Sequence, residues 1–106
     1  MTAYLLTYDL EETSPDPRSI VKSELRKAGW YSRVKKGDQS WAYPNTTMGG
    51  PFDSDADAVE AYRSAIRNAK AEARRQGKGA VVIEKVYITQ RTEVLFETDD
   101  KRPADD

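Results

Sequence analysis

The run Tyr4-Leu5-Leu6-Thr7-Tyr8-Asp9-Leu10 constrains this chain more than any other stretch, because it is rich in β-favouring residues and neither of its faces is written for water. Strand alternation puts Tyr4, Leu6 and Tyr8 on one side and Leu5, Thr7 and Asp9 on the other. Such a strand belongs in the middle of a sheet, with Asp9 at its mouth and a cover over each face. Helices of the same chain supply one cover, and a second copy of the chain is the most economical source of the other.

Length and charge support that picture. The 106 residues make one domain, with 38% hydrophobic and 33% charged residues, so the core is small, the exposed faces are heavily charged, and an oligomer is favoured. The net charge of -1, from 17 Lys plus Arg against 18 Asp plus Glu, gives no global field to gather nucleic acid or a membrane surface, so any basic site is a local patch. With no cysteine and no histidine, disulfides, thiolate nucleophiles, Cys/His zinc sites and a histidine general base are excluded. Carboxylates, Tyr, Lys and Ser/Thr remain for any chemistry. No segment approaches the roughly 20 apolar residues that span a bilayer, and no basic flank with a long apolar core opens the chain, so a soluble cytoplasmic protein without a membrane partner is expected.

After the first strand, Asp16-Pro17 reads as an N-cap followed by proline at the first helical position, and Ile20, Val21, Leu25 and Ala28 fall at helical spacing before Gly29. Trp30 to Val34 and Gln39 to Tyr43 flank Lys35-Lys36-Gly37-Asp38 as the arms of a β-hairpin, and Asn45 to Pro51 is a loop by composition. Ser54 or Asp53 caps a long second helix, whose stripe is Val59, Tyr62, Ile66, Ala69 and Ala73 and whose end carries Arg74, Arg75 and Lys78. Ala80 to Thr89 reads as a strand with Val81, Ile83 and Tyr87 on one face and Val82, Val86 and Ile88 on the other. Thr92 to Thr98 fits one more strand, and residues 99–106 form an acidic, disordered tail after a domain spanning 1–98. The order predicts an α+β fold, ferredoxin-like βαββαβ with an extra C-terminal strand, two helices covering one face of an antiparallel sheet. The open face predicts a homodimer packed sheet to sheet.

The stretch Tyr4-Leu5-Leu6-Thr7-Tyr8-Asp9, followed by a helix ending Ala28-Gly29-Trp30, resembles the Cas-two-like superfamily. That superfamily takes in the small CRISPR-associated endonucleases, the VapD toxins and the GhoS type of antitoxin. The resemblance covers the layout through roughly Glu97 and implies a ferredoxin-like homodimer. In the nuclease members the carboxylate matching Asp9 binds a divalent metal with its symmetry mate. The segment Gln39-Ser40-Trp41-Ala42-Tyr43-Pro44-Asn45 departs from the family, because the Ser/Phe signature of the CRISPR members is not found there.

Asp9 is the candidate catalytic and metal-binding residue, since a carboxylate ending an apolar strand needs a metal, a hydrogen bond or water; the competing reading is a loop-capping Asp. Mg or Mn suits it, with Glu11 and Glu12 near in sequence as further ligands or as solvated neighbours. Arg63, Arg67, Lys70 and Arg74 occupy one narrow sector of the second helix over about 16 Å and are the candidate nucleic-acid contacts, against the reading of a solvated flank. Gly49-Gly50 before that helix fails as a phosphate cradle, because Asp53, Asp55 and Asp57 outweigh a dipole worth about half a charge and the loop has no lysine. Trp30, Tyr31, Trp41 and Tyr43 serve either as a stacking platform for bases or as core and dimer packing. Two functions follow: a metal-dependent endoribonuclease of the Cas-two-like kind, or a non-catalytic dimer that binds a protein or nucleic acid in a toxin-antitoxin, CRISPR or phage-related setting.

Overall fold

The computed structural model describes residues 1–36 and 39–91. They run β1 (Thr2–Leu10), α1 (Arg18–Lys27), β2 (Arg33–Lys36), β3 (Gln39–Ala42), β4 (Thr47–Phe52), α2 (Asp55–Arg75) and β5 (Ile83–Gln90). The Gly37-Asp38 turn, the Thr92 to Thr98 strand and the 99–106 tail lie outside the described residues.

β1 is the central strand of a three-stranded antiparallel sheet ordered β4-β1-β5, with Leu6 opposite Met48 on one side and Ile88 on the other. Tyr4, Leu6 and Tyr8 are buried, as their alternation predicts. Ile20, Val21 and Leu25 of α1, with Ala58, Ala65, Ile66, Ala69 and Ala73 of α2, pack on that same face. Each large apolar side chain fully buried there stabilises the fold by about 1.5–3 kcal/mol. The α2 stripe is mostly alanine, and Val59 and Tyr62 stand at its half-buried edge. Across β1, Leu5 is half-buried while Thr7 and Asp9 are exposed. Among the described residues no helix crosses the second face of the strand.

The helix ends obey their local chemistry. Pro17 is the N-cap of α1, and Asp16 caps from one residue earlier, its Oδ1 accepting the Arg18 backbone N–H at 2.9 Å. Gly29 follows α1 at φ 105°, a conformation that strongly favours glycine. Ser54 caps α2, its Oγ accepting from the Asp57 N–H at 3.1 Å. One residue on, Asp55 Oδ1 accepts from the Tyr4 hydroxyl at 2.6 Å and from Gln90 Nε2 at 2.8 Å, tying the start of α2 to β1 and β5. Those two hydrogen bonds, Tyr4's first, hold the Asp55 carboxyl below the usual carboxylate range.

Three sequence expectations need correction. Asn45 to Pro51 is not all loop, since Thr47–Phe52 is β4, paired with β1 from Thr2↔Phe52 to Thr7↔Thr47. Its Gly-Gly-Pro content reads as a breaker, yet the outer strand of the sheet tolerates proline, and both glycines answer to close packing. A Cβ on Gly49 would lie 2.7 Å from the Tyr43 hydroxyl, and one on Gly50 would lie 2.5 Å from the Gly29 carbonyl oxygen. The hairpin arms β2 and β3 pair with each other as a separate two-stranded sheet, and the chain touches the outer edge of β4 through a Tyr31–Gly49 bridge. Finally, β5 begins at Ile83, and a register shift at Asp9/Leu10 takes its pairing from Lys85 to Ile83. That bulge turns Ile83, Val86 and Ile88 together toward the core, where the alternation had separated Ile83 from the other two.

Candidate anion-binding surfaces

Asp9 lies at the end of β1, exposed, with Lys85 opposite it in register on β5. Its carboxylate has no hydrogen-bond or ion-pair partner among the described residues, so the loop-capping reading finds no contact to rest on. Glu11 and Glu12 are exposed beyond it, and no three His, Cys, Asp or Glu side chains among the described residues gather where they could hold a metal. A metal at Asp9 therefore needs oxygens from outside these residues, as a second copy would provide.

The basic stripe on α2 divides. Arg63, Arg67, Lys70 and Arg74 are all exposed, but Arg67 Nη2 donates to Glu60 Oε1 at 3.0 Å, which engages the middle of the stripe. Lys70 and Arg74 have no ion-pair partner among the described residues. With Lys78, Ala73, Gly79, Ala80 and Val81 they line a hollow of about 420 Å³ between the end of α2 and the approach to β5. Lys78 reaches it because its backbone N–H donates to the Ala73 carbonyl at 2.8 Å as the chain turns off the helix. Among the described residues no carboxylate lines the hollow, although the Lys78 charge is felt by Asp16, whose carboxyl Arg18 chiefly holds low. Part of this basic load serves the helix itself, since cations in the last turn complement its macrodipole. Arg75 serves it too: with Gln76 it binds Glu72 and lowers that carboxyl to about 2. Lys78 stands past the helix and marks the part of the surface that the dipole does not account for.

A second concavity lies where the β2–β3 hairpin meets the sheet. Its lining includes Tyr31, Arg33, Lys35, Tyr43, Gly49 and Arg91 around a shallow hollow of about 360 Å³ that is largely open to water. Arg91 is fixed at the end of β5 by its backbone N–H, which donates to the Ala3 carbonyl at 2.9 Å. Its Nε is shielded from water and has no hydrogen-bond partner among the described residues. Burial pushes the Tyr43 hydroxyl up, while the Arg91 charge and hydrogen bond pull it back. Sequence reading missed this cleft. The available signal was Tyr31-x-Arg33-x-Lys35, an alternation that puts an aromatic and two cations on one face of an extended segment.

The four aromatics taken together in the sequence separate. Trp30 is fully buried against Phe52, with ring centroids 4.7 Å apart, so it is core and offers nothing to a base. Tyr31 is 39% exposed, and Tyr43 lies half-buried in the cleft. Gly49-Gly50 is strand rather than a loop entering α2, so the phosphate cradle fails on position as well as charge. Among the described residues no helix is long and apolar enough to cross a membrane. No family model, curated protein or solved structure matches the chain.

Proposed function

We propose that the chain is a ferredoxin-like protein that binds single-stranded RNA through the C-terminal half of α2 and works as a homodimer. The observation that carries this reading is the convergence of Lys70, Arg74 and Lys78 on one hollow that no carboxylate among the described residues lines. Clustered cations of this kind neutralise successive phosphates and release counterions, which compensates for a net charge that is not basic. The fold reading is supported by the sheet order β4-β1-β5 with both helices packed on one face, the Tyr31–Gly49 bridge standing where a fourth strand would run and the hairpin added beyond it. The dimer reading is supported by the sheet face that carries Leu5 and an exposed Tyr87, over which no helix of the described residues lies.

The test is the salt dependence of binding to a labelled single-stranded RNA. Replacing Lys70 and Arg74 with Gln is expected to flatten the log-log salt slope by about 1.4, two contacts' worth on a single strand. An unchanged slope with unchanged affinity would assign these side chains to solvent and sink the proposal.

One observation favours a second reading, the metal-dependent endoribonuclease: the Asp9 carboxylate is exposed and unpartnered among the described residues. In this reading Asp9 and its mate in a second copy share Mg or Mn, and the ion activates water for attack on phosphate. Asp9→Asn keeps the shape and removes the charge, so cleavage and its metal dependence should vanish together while RNA binding survives. Chelator-resistant cleavage persisting in the variant would end this mechanism.

A further inference from the structure

We propose that the cleft between the β2–β3 hairpin and the sheet is a binding site for a nucleoside monophosphate, its phosphate held by Arg33, Lys35 and Arg91 and its base stacked on Tyr31. The site is separate from the α2 hollow and does not rest on the reading given for that surface.

Charge comes first. Three cationic side chains line the cleft and, among the described residues, no carboxylate does, in a protein whose acids slightly outnumber its bases. Such a concentration is self-repelling until an anion enters, and a phosphate carrying up to two negative charges balances it better than a single carboxylate. Arg91 then gives the direction. Its backbone is anchored to β1 and its charge acts on the Tyr43 hydroxyl within the same lining, so a phosphate oxygen entering there meets a guanidinium already held in place. Guanidinium groups from Arg33 and Arg91 supply planar, forked donors that match the oxygens of phosphate, and Lys35 adds a compact charge.

The aromatic lining narrows the ligand from an inorganic anion to a nucleotide. Tyr31 and Tyr43 both line the space, and Tyr31 keeps 39% of its surface exposed, presenting ring to a planar partner. At about 360 Å³ and largely open to water, the hollow has room for one nucleotide lying against its floor. Its construction is firm. The Tyr31–Gly49 bridge closes with hydrogen bonds of 2.7 and 2.8 Å, and Tyr43 packs where only a glycine at 49 leaves room. The phosphate could belong to a free nucleotide or to the terminal nucleotide of a strand.

Isothermal titration calorimetry with AMP and UMP, against adenosine and inorganic phosphate alone, tests the site. Both nucleotides should bind, and adenosine and phosphate should each bind at least tenfold more weakly. Arg91→Gln should weaken nucleotide binding about tenfold, and Lys35→Gln, an exposed position that the fold does not need, should weaken it severalfold even if Arg91→Gln fails to fold. The double variant Lys70→Gln/Arg74→Gln should bind AMP as the parent does, which separates this site from the α2 surface. A 5′-phosphorylated trinucleotide binding more tightly than AMP identifies a strand end as the source, and equal or weaker binding identifies the free nucleotide. No AMP binding at millimolar concentration, phosphate binding as tightly as AMP, or full AMP affinity in Lys35→Gln would overturn the proposal.

Discussion

Asp55 stands where the start of α2, the central strand and β5 meet, and its carboxylate is stabilised by donors that lose their acceptor when it is protonated. Because its folded pKa is depressed, the contribution is fully present above the unfolded value of about 3.9 and is lost as pH falls through the lower folded value. Thermal melts of Asp55→Asn and the parent should therefore differ at neutral pH and converge in strong acid. A constant difference down to pH 2 would remove the carboxylate from this role. Gly50 makes a complementary case without charge. A Cβ there meets the backbone oxygen of Gly29, which cannot swing aside, so Gly50→Ala should cost about 1–3 kcal/mol in chemical denaturation.

At the level of elements, what the sequence revealed follows from which forces are local. β1, both helices, the Ser54 cap and the Gly29 stop were legible because alternation, helical spacing and capping act within a few residues. β4 was not, because the reason for Thr-Met-Gly-Gly-Pro-Phe being a strand lies in Tyr43, Gly29 and β1, all distant in sequence or folded onto it from outside. The bulge in β5 was equally hidden, and it changes an experiment. Alternation put Val86 on one face with Val82 and apart from Ile83, whereas Val86 packs on the core with Ile83 and Ile88 while Val82 is exposed. Val86→Asp should therefore lower the stability of the single chain by several kcal/mol by order of magnitude, while Val82→Asp, 38% exposed, should leave it nearly unchanged. Equal melting of the two variants would contradict the bulge. The candidate residues show the same division. The α2 stripe could be read from its spacing, but the engagement of Arg67 by Glu60 and the recruitment of Lys78 depend on where the helix ends. The hairpin cleft unites residues from five separate stretches of the chain, which spacing alone does not join.

For the whole molecule, the question is what covers the second face of the sheet. Leu5 and Tyr87 offer some apolar surface beside Thr7, Asp9 and Lys85, a mixed composition more like an association surface than a core. Sedimentation at micromolar concentration is expected to give two chains per particle, with Tyr87→Asp shifting it toward one. A clean monomer for the parent would leave that face to solvent.

Placing the first strand at the centre of the sheet also sets the order of events when the chain is made. Leu6 waits for Met48 and then for Ile88 before both its sides are occupied. On a ribosome, β1 emerges before both of its partners and keeps one edge unpaired until almost all the described chain has followed it. Long-range closure of this kind folds slowly and leaves an apolar strand open to wrong partners in the interval. Nascent chains arrested before Ile83 should accordingly be sensitive to protease and prone to capture by chaperones, acquiring resistance only once β5 has cleared the exit tunnel.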